Sequence, residues 1–282
     1  MAEIEPLIST FKGAFYACDN IELERIYKNF KNLSKSSPKV ANLLDFMEYK
    51  RYRYEREILK MCMEFLESPG WTLITEKNRI RVEYKGEDKI CIRSSMLVKQ
   101  NMLKVLSVLS AADLAQEWIS PAKKIEILSE PTMTRKLVNY HFWFPWPISD
   151  RQCLVEFNAL PVPEKKACMI TMRTPNKKKY LNWRIPKGND DEVKMKMRIG
   201  GLYTEMIDEE NTRVVFVVNP DPNIFYVPQS VINFGTKHIM YYMMETLRNK
   251  MLEFEGSSYE QRIKEKPELL EFIKASIDKH SH

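Results

Sequence analysis

The stretch Val193-Lys194-Met195-Lys196-Met197-Arg198-Ile199 alternates apolar and cationic side chains with a period of two. In an extended strand that period puts every apolar residue on one face and every charge on the other, so the segment demands a sheet with one dry face and one wet face. A helix over the same residues would scatter the lysines into its core.

Working outward, extended runs are predicted downstream at 202–208 and 212–219 and upstream at 133–144, 151–160 and 167–174. Earlier still, 71–77, 79–85 and 89–98 form a three-stranded meander, with Lys77-Asn78 and Gly86-Glu87-Asp88 as turns. Between the two groups the period lengthens. Met102, Val105, Leu106 and Leu109 recur at helical spacing, and Asp113 to Ile119 predicts a second short helix that Pro121 closes.

Helices flank the strands. Residues 1–66 read mostly as helix, with breaks near Gly13 and at Ser34-Lys35-Ser36-Ser37-Pro38. Leu44, Met47, Tyr54, Ile58, Met61 and Phe65 then set an amphipathic stripe that Ser68-Pro69-Gly70 ends. After Pro220, Pro222 and Pro228, a long helix over about 228–253 carries Ile232, Ile239, Met240, Met243, Met244, Leu247 and Met251. Gly256-Ser257-Ser258 breaks it, and Pro267 begins a tail helix bearing Leu269, Leu270, Ile273 and Ile277. The order predicts an α+β fold in which a curved antiparallel sheet of about nine strands is closed by a long C-terminal helix.

Composition narrows the function. With 8 glycines against 16 methionines, 13 phenylalanines and 13 tyrosines, Gly-rich phosphate cradles have little material while adaptable apolar surface is plentiful. Five cysteines without a Cys-x-x-Cys pair suggest neither a disulfide framework nor zinc, and fit a reducing cytosol. Glu3 and Glu5 without a following apolar run, and Ala2 where myristoylation needs glycine, argue against secretion and acyl anchoring. No apolar run is long enough to span a bilayer, so the expectation is a cytoplasmic protein that meets membranes peripherally. A net charge of +6 suits anionic headgroups but is modest for 282 residues.

Several motifs, in register along the chain, carry a resemblance. Trp146-Pro147-Ile148-Ser149-Asp150-Arg151 resembles the Trp-Pro-x-Ser-x-Arg-Asp signature of START (StAR-related lipid transfer) domains. Trp118 sits where that family has a Trp-Asp pair. Met197-Arg198-Ile199-Gly200-Gly201 and the run Thr212 to Pro222 followed by Val227-Pro228 are similar to the family's last strands and their entry into the final helix. The resemblance covers about residues 46–255, which leaves 1–45 as a helical extension and 256–282 as a tail.

It implies a helix-grip fold that holds one lipid as cargo in an internal apolar cavity, with no cofactor and no metal. The cavity wall would then comprise Val138, Tyr140 and Phe142 on one strand, Val155 and Phe157 on the next, and Ile170 and Met172 on a third. Met195 and Met197, then Val214 and Phe216, would continue it, and Ile239, Met243 and Leu247 of the long helix would close it. Trp118, Trp146, Pro147 and Arg151 would be structural signature residues. A chain of about 16 carbons, at about 0.8 kcal/mol per CH₂, supplies ample driving force for such a site.

The departures from the family pattern concern polarity. Gln152 replaces the signature Asp, Ile119 follows Trp118, and Ala115 stands where members that bind phosphatidylcholine can carry Arg. The acid and base of sterol-binding members would fall on Val138 and Phe157. A cargo headgroup would then rely on Tyr140, His141, Asn139 or backbone groups, and the cargo is a sterol, a phospholipid or another apolar lipid.

Other motifs admit two readings each. Arg151 beside Asp150 reads as a structural pair or as a ligand contact. The long connection Pro175 to Asp191 carries Lys177, Lys178, Lys179, Tyr180 and Trp183, residue types that suit docking on an anionic membrane, or else it is a solvated loop. Tyr49 to Arg56 interleaves aromatic and basic residues, but Glu48, Glu55 and Glu57 among them favour a salt-laced solvent face over nucleic-acid binding. The four histidines show no metal or catalytic spacing. The expectation is a monomeric lipid carrier or sensor that is not an enzyme and binds no nucleic acid. Its rivals are an enzyme on the same architecture and an interaction module with a reduced cavity.

Overall fold

The computed structural model describes residues 4–36, 38–86, 91–144, 148–187, 192–224 and 229–268. Four helices come first: α1 (Ile4–Tyr16), α2 (Asn20–Ser36), α3 (Pro38–Leu43) and α4 (Met47–Glu67). A meander β1 (Thr72–Lys77), β2 (Ile80–Lys85) and β3 (Cys91–Val98) leads to α5 (Met102–Ser110). Then follow β4 (Ala122–Thr132), β5 (Arg135–Phe142), β6 (Arg151–Val162) and β7 (Ala167–Arg173). A small hairpin, β8 (Lys179–Tyr180) and β9 (Trp183–Arg184), precedes β10 (Val193–Met206) and β11 (Thr212–Asp221), and α6 (Gln229–Leu252) and α7 (Ser258–Glu265) end the described chain.

The large sheet has nine strands in the order β1-β2-β3-β11-β10-β7-β6-β5-β4. Its ladders are antiparallel except where the start of β10 runs parallel to the start of β6, from Val193 opposite Arg151 to Met195 opposite Cys153. Each face has its own cover. The inner face packs against α5, α6 and α7, and the outer face packs against α4 through Ile58, Cys62 and Leu66.

The alternation that opened the sequence reading is present in β10, where Lys194, Lys196 and Arg198 are exposed while Met195 and Met197 turn inward. The strand differs in length from expectation. Runs predicted separately at 193–199 and 202–208 are one strand, because Gly200 and Gly201 sit mid-ladder where the layers approach closely. A Cβ on Gly201 would lie 2.5 Å from Met169 Sδ, and one on Gly200 would lie 3.0 Å from Val218 Cγ1. Here glycine marks close packing rather than a turn.

The sheet gains a strand the sequence reading missed. β4 is an edge strand with three register irregularities and Pro131 near its end, which hides the alternation of Lys124-Ile125-Glu126-Ile127. The helix expected over Asp113 to Ile119 is only a 3₁₀ turn at Ala115–Glu117.

The front helices also differ. α1 runs through Gly13, and the chain reverses at Cys18, whose φ of 58° lies in the left-handed region. α2 continues through the Ser-rich stretch to Ser36. The buried stripe of α4 is Tyr49, Tyr52, Glu55, Ile58, Cys62 and Leu66; of the residues expected, Ile58 lies on it, Tyr54 and Phe65 are partly buried beside it, and Met61 is exposed. The stripe shifts because α4 has two partners. Its first half shares a core with Phe11, Phe15, Leu23, Ile26 and Phe30 of α1 and α2, and its second half lies on the sheet.

Of residues 49–56, only Lys50 and Arg53 are exposed as a solvent face would have them. Arg51 Nε donates to Glu55 Oε1 at 2.6 Å and its Nη1 to Glu156 Oε2 at 2.7 Å. Arg135 of β5 grips Glu55 with two parallel bonds of 2.9 Å, donates to the Phe15 carbonyl at 3.1 Å, and lies over the Phe15 ring. The ion network thus ties α1, α4 and the sheet together. Past α6, the break at Gly256 is real, and Ser257 caps α7 by accepting from Glu260 N at 3.3 Å. The helix expected from Pro267 onward lies largely outside the described residues.

Candidate functional site

The pleat fixes which side chains meet on the inner face. Val138 and Tyr140 on β5, Cys153 and Val155 on β6, Ile170 and Met172 on β7, and Val214 and Val218 on β11 belong to one buried apolar cluster. Phe142, Phe157, Met195, Met197 and Phe216 are half-buried and pack on it. α6 contributes Met240, Met243, Met244, Leu247 and Met251. The residues selected from sequence are thus brought together, with one exception. Ile239 is 44% exposed and points outward, whereas its neighbour Met240 faces in. A helical stripe read from spacing alone cannot distinguish adjacent positions at its margin.

Burial is uneven across this face. At one side Ile80, Val82, Val98 and Val214 are fully enclosed, as are Met244 and Leu247 above them, where α6 packs on β2 and β3. Toward β4, β5, β6 and the first half of β10, the inner side chains Ile125, Ile127, Phe142, Phe157, Met195 and Met197 are only partly covered. Phe216 is half-buried although β11 is the fourth strand from one edge and is flanked by β3 and β10.

The polar groups of the face are few. The Tyr140 ring stacks on Phe142 with centroids 5.6 Å apart, and burial pushes its hydroxyl well above the ordinary tyrosine value. Burial likewise pushes the Cys153 thiol up to about 12. Ser94, directly opposite Phe216, is fully buried and its hydroxyl has no hydrogen-bond partner. Trp118 packs in the cluster, and its indole N–H is also unpartnered. Lys136, two residues before Val138, pairs with Glu130 at 2.8 Å.

Asn139 and His141, offered by sequence as headgroup contacts, face the opposite side. His141 Nδ1 lies 2.6 Å from Glu192 Oε2, and its Nε2 lies 2.9 Å from Glu126 Oε2 and 3.0 Å from Asn139 Nδ2. An odd offset from Tyr140 sends them outward.

Arg151 does not pair with the Asp150 carboxylate, which bonds Lys123 and the Phe144 amide. Its guanidinium instead donates to the carbonyls of Ser149 and Pro222, the latter at 2.8 Å, and so ties the start of β6 to the chain entering α6. Trp146 and Pro147 lie outside the described residues.

In the connection after β7, Lys177, Lys178 and Lys179 are exposed and Trp183 is half-buried. Tyr180 departs from expectation. It is 1% exposed, with Arg51 4.8 Å from its ring centre, and Leu181 beside it packs into the core of the front helices. Beyond the strand expected at 151–160, β6 extends to Val162 and a 3₁₀ turn at Pro163–Lys165 follows it. No helix among the described residues is long and apolar enough to cross a membrane.

No family model matches the sequence, and no curated protein does either. Solved structures do match. Human STARD10 superposes with a TM-score of 0.62 at 15% identity, over 79% of this chain and 87% of that chain. Human StAR-related lipid transfer protein 5 gives 0.63 at 16% identity, over 74% and 99%. The lipid transfer and protein localization domain of human StarD13 gives 0.52 at 12%, over 69% and 95%. The chain has the START-type helix-grip fold that the motifs suggested.

Proposed function

We propose that this helix grip carries one lipid between the inner face of the sheet and α6, and exchanges it at a membrane surface. The observation that supports the reading is the uneven burial of the inner face. Phe157, Phe216, Met195 and Met197 lie on the inner face yet remain half-buried, which leaves apolar surface for a ligand to cover. The names of the superposable proteins point the same way, since two of them are lipid transfer proteins or domains by description.

The cargo would lie toward β4, β5, β6 and the start of β10, because α6 already fills the face over β2 and β3. Its surroundings are almost wholly hydrocarbon, which suits a sterol or another weakly polar lipid, and the unpartnered indole N–H of Trp118 is an available donor to a hydroxyl or carbonyl. Release into water would cost about 0.8 kcal/mol per exposed CH₂, so exchange requires a membrane. Loosening of α6 opens the site, and Arg151 holds the hinge at Pro222. Lys177, Lys178 and Lys179 would draw this end toward anionic lipid at about 1 kcal/mol each, with Trp183 at headgroup level.

Native mass spectrometry of the protein from its own cells, followed by lipid extraction, tests the reading. One lipid per chain is expected, and Met243→Glu and Met197→Glu should be soluble and lipid-free. A second reading, an interaction module with a reduced cavity, draws on the enclosed side of the face, where Met244 and Leu247 fill the space themselves. A stable protein that holds no lipid and takes none from vesicles would replace the first reading with the second.

A further inference from the structure

From Thr174 to Lys187 the chain carries five cations and no carboxylate: Lys177, Lys178, Lys179, Arg184 and Lys187. All five are exposed, and none forms an ion pair among the described residues. The acids that follow are Asp190 and Asp191, which lie outside the described residues, and Glu192, which turns to His141 at 2.6 Å. A stretch of this composition should float in solvent. Its middle is instead the hairpin β8–β9, fastened to the protein body.

The fastening leaves two groups of the tip badly served. Leu181 and Asn182 link the two strands, and Leu181 has a φ of 51°, a left-handed conformation that glycine takes readily and leucine does not. Its side chain packs on the core that α1, α2 and the first half of α4 share. Beside it Tyr180 is 1% exposed, with Arg51 4.8 Å from its ring centre, and its hydroxyl has no hydrogen-bond partner among the described residues. Trp183, paired with Tyr180 across the hairpin, is half-buried. The Leu181 backbone and the Tyr180 hydroxyl would both be better satisfied elsewhere, and packing against the front helices is what keeps them in place.

We propose that this hairpin is a membrane-docking element stowed against the front helices, and that an anionic bilayer draws it out so that Tyr180, Leu181 and Trp183 enter the interface. The inference deepens the lipid-exchange reading and takes its partner from it. In water the stowed form wins, because release would expose the leucine side chain and the tyrosine ring. At a bilayer both are covered again, the tyrosine hydroxyl reaches headgroups and water, the turn is free to relax, and the five cations meet anionic lipid. The leucine at the tip selects a bilayer over a nucleic acid, whose phosphates and base edges offer an aliphatic side chain no comparable burial. The helices of the N-terminal extension thereby gain a role: they compete with the membrane for the hairpin tip.

The test places a bimane label on the full chain through Asn182→Cys, an exposed position at the tip, while the native cysteines are buried or partly so. Vesicles of phosphatidylcholine, with and without phosphatidylserine, carry bromine on their acyl chains as a quencher. Quenching of the label is expected on the phosphatidylserine vesicles and not on phosphatidylcholine alone. Lys177→Gln combined with Lys178→Gln should weaken vesicle binding by about tenfold or more. Tyr180→Phe removes the unpartnered hydroxyl and so favours the stowed form, which should weaken binding by about two- to fivefold while thermal melting shows a fold at least as stable. Binding that leaves the label unquenched would mean a fixed basic patch and would overturn the release, as would unchanged affinity in Tyr180→Phe or no preference for phosphatidylserine. Native mass spectrometry of the same sample keeps the two readings apart: tip insertion by a chain that holds no lipid defeats the cargo reading alone, and a lipid-loaded chain whose tip stays unquenched defeats this inference alone.

Discussion

Replacing Arg135 with Met would remove the centre of the ion network without leaving a hole, because methionine retains most of the aliphatic stem. Arg135 is 1% exposed and Glu55 2%, and their two parallel bonds measure 2.9 Å each. Breaking a pair this deep leaves the buried carboxylate with Arg51 as its remaining cation, and the loss of one partner of a buried ion pair costs about 3–5 kcal/mol. At about 2–4 °C per kcal/mol for a chain of this size, the melting temperature should fall by about 6–20 °C.

The pH dependence supplies an internal check. Burial by itself would push the Glu55 carboxyl up, but Arg135 and Arg51 outweigh it and hold the group below its ordinary value. A folded value below the unfolded one contributes stability above the unfolded value and loses it as pH falls through the folded one. In Arg135→Met only Arg51 opposes burial, so the Glu55 carboxyl moves up toward its unfolded value and acidification costs the variant less than the wild type. Urea unfolding from pH 7 toward about pH 4 should therefore show the two proteins converging in stability. Adding Glu55→Gln to the variant should recover part of the loss at neutral pH. A deficit below about 1 kcal/mol, or a gap that stays constant with pH, would refute the claim that this pair anchors the front helices to the sheet.

Two other outcomes follow from buried groups. Tyr180→Phe deletes a hydroxyl that is buried without a partner and keeps the ring beside Arg51, so unfolding should show no loss and up to about 1 kcal/mol of gain; a loss above about 1 kcal/mol would reveal a hidden partner. Burial pushes the thiols of Cys62 and Cys153 up to about 12, so both should resist iodoacetamide at neutral pH until the chain is unfolded in denaturant. Mass spectrometry of the alkylated peptides reads this directly, and rapid native labelling of either would show that the sheet opens.

Much of the inner face was legible in the sequence because a strand's period is two and one face is dry. Val138, Tyr140, Val155, Ile170, Met172 and Val214 follow from that rule, and the structure gathers them in one cluster. The same rule, applied strictly, would also have sent Asn139 and His141 outward. β4 carried a weaker signal, since an irregular edge strand shows its alternation over only a few residues. Gly200-Gly201 was open to misreading, because glycine serves turns and close contacts alike, and only Met169 and Val218 decide between them.

Patterning alone determined the α+β class, the dry face of the sheet and the long covering helix, because periodicity is local and hydrophobic burial acts on every residue of a face. Tertiary structure decided the fate of the charged and aromatic residues. Whether Arg51, Glu55 and Tyr180 meet water or one another depends on which elements α4 lies between, and on partners such as Arg135 and Glu156, about eighty or a hundred residues away. Charge pairs at such separations leave no periodic trace in sequence, so the core network became visible only when the layers were assembled.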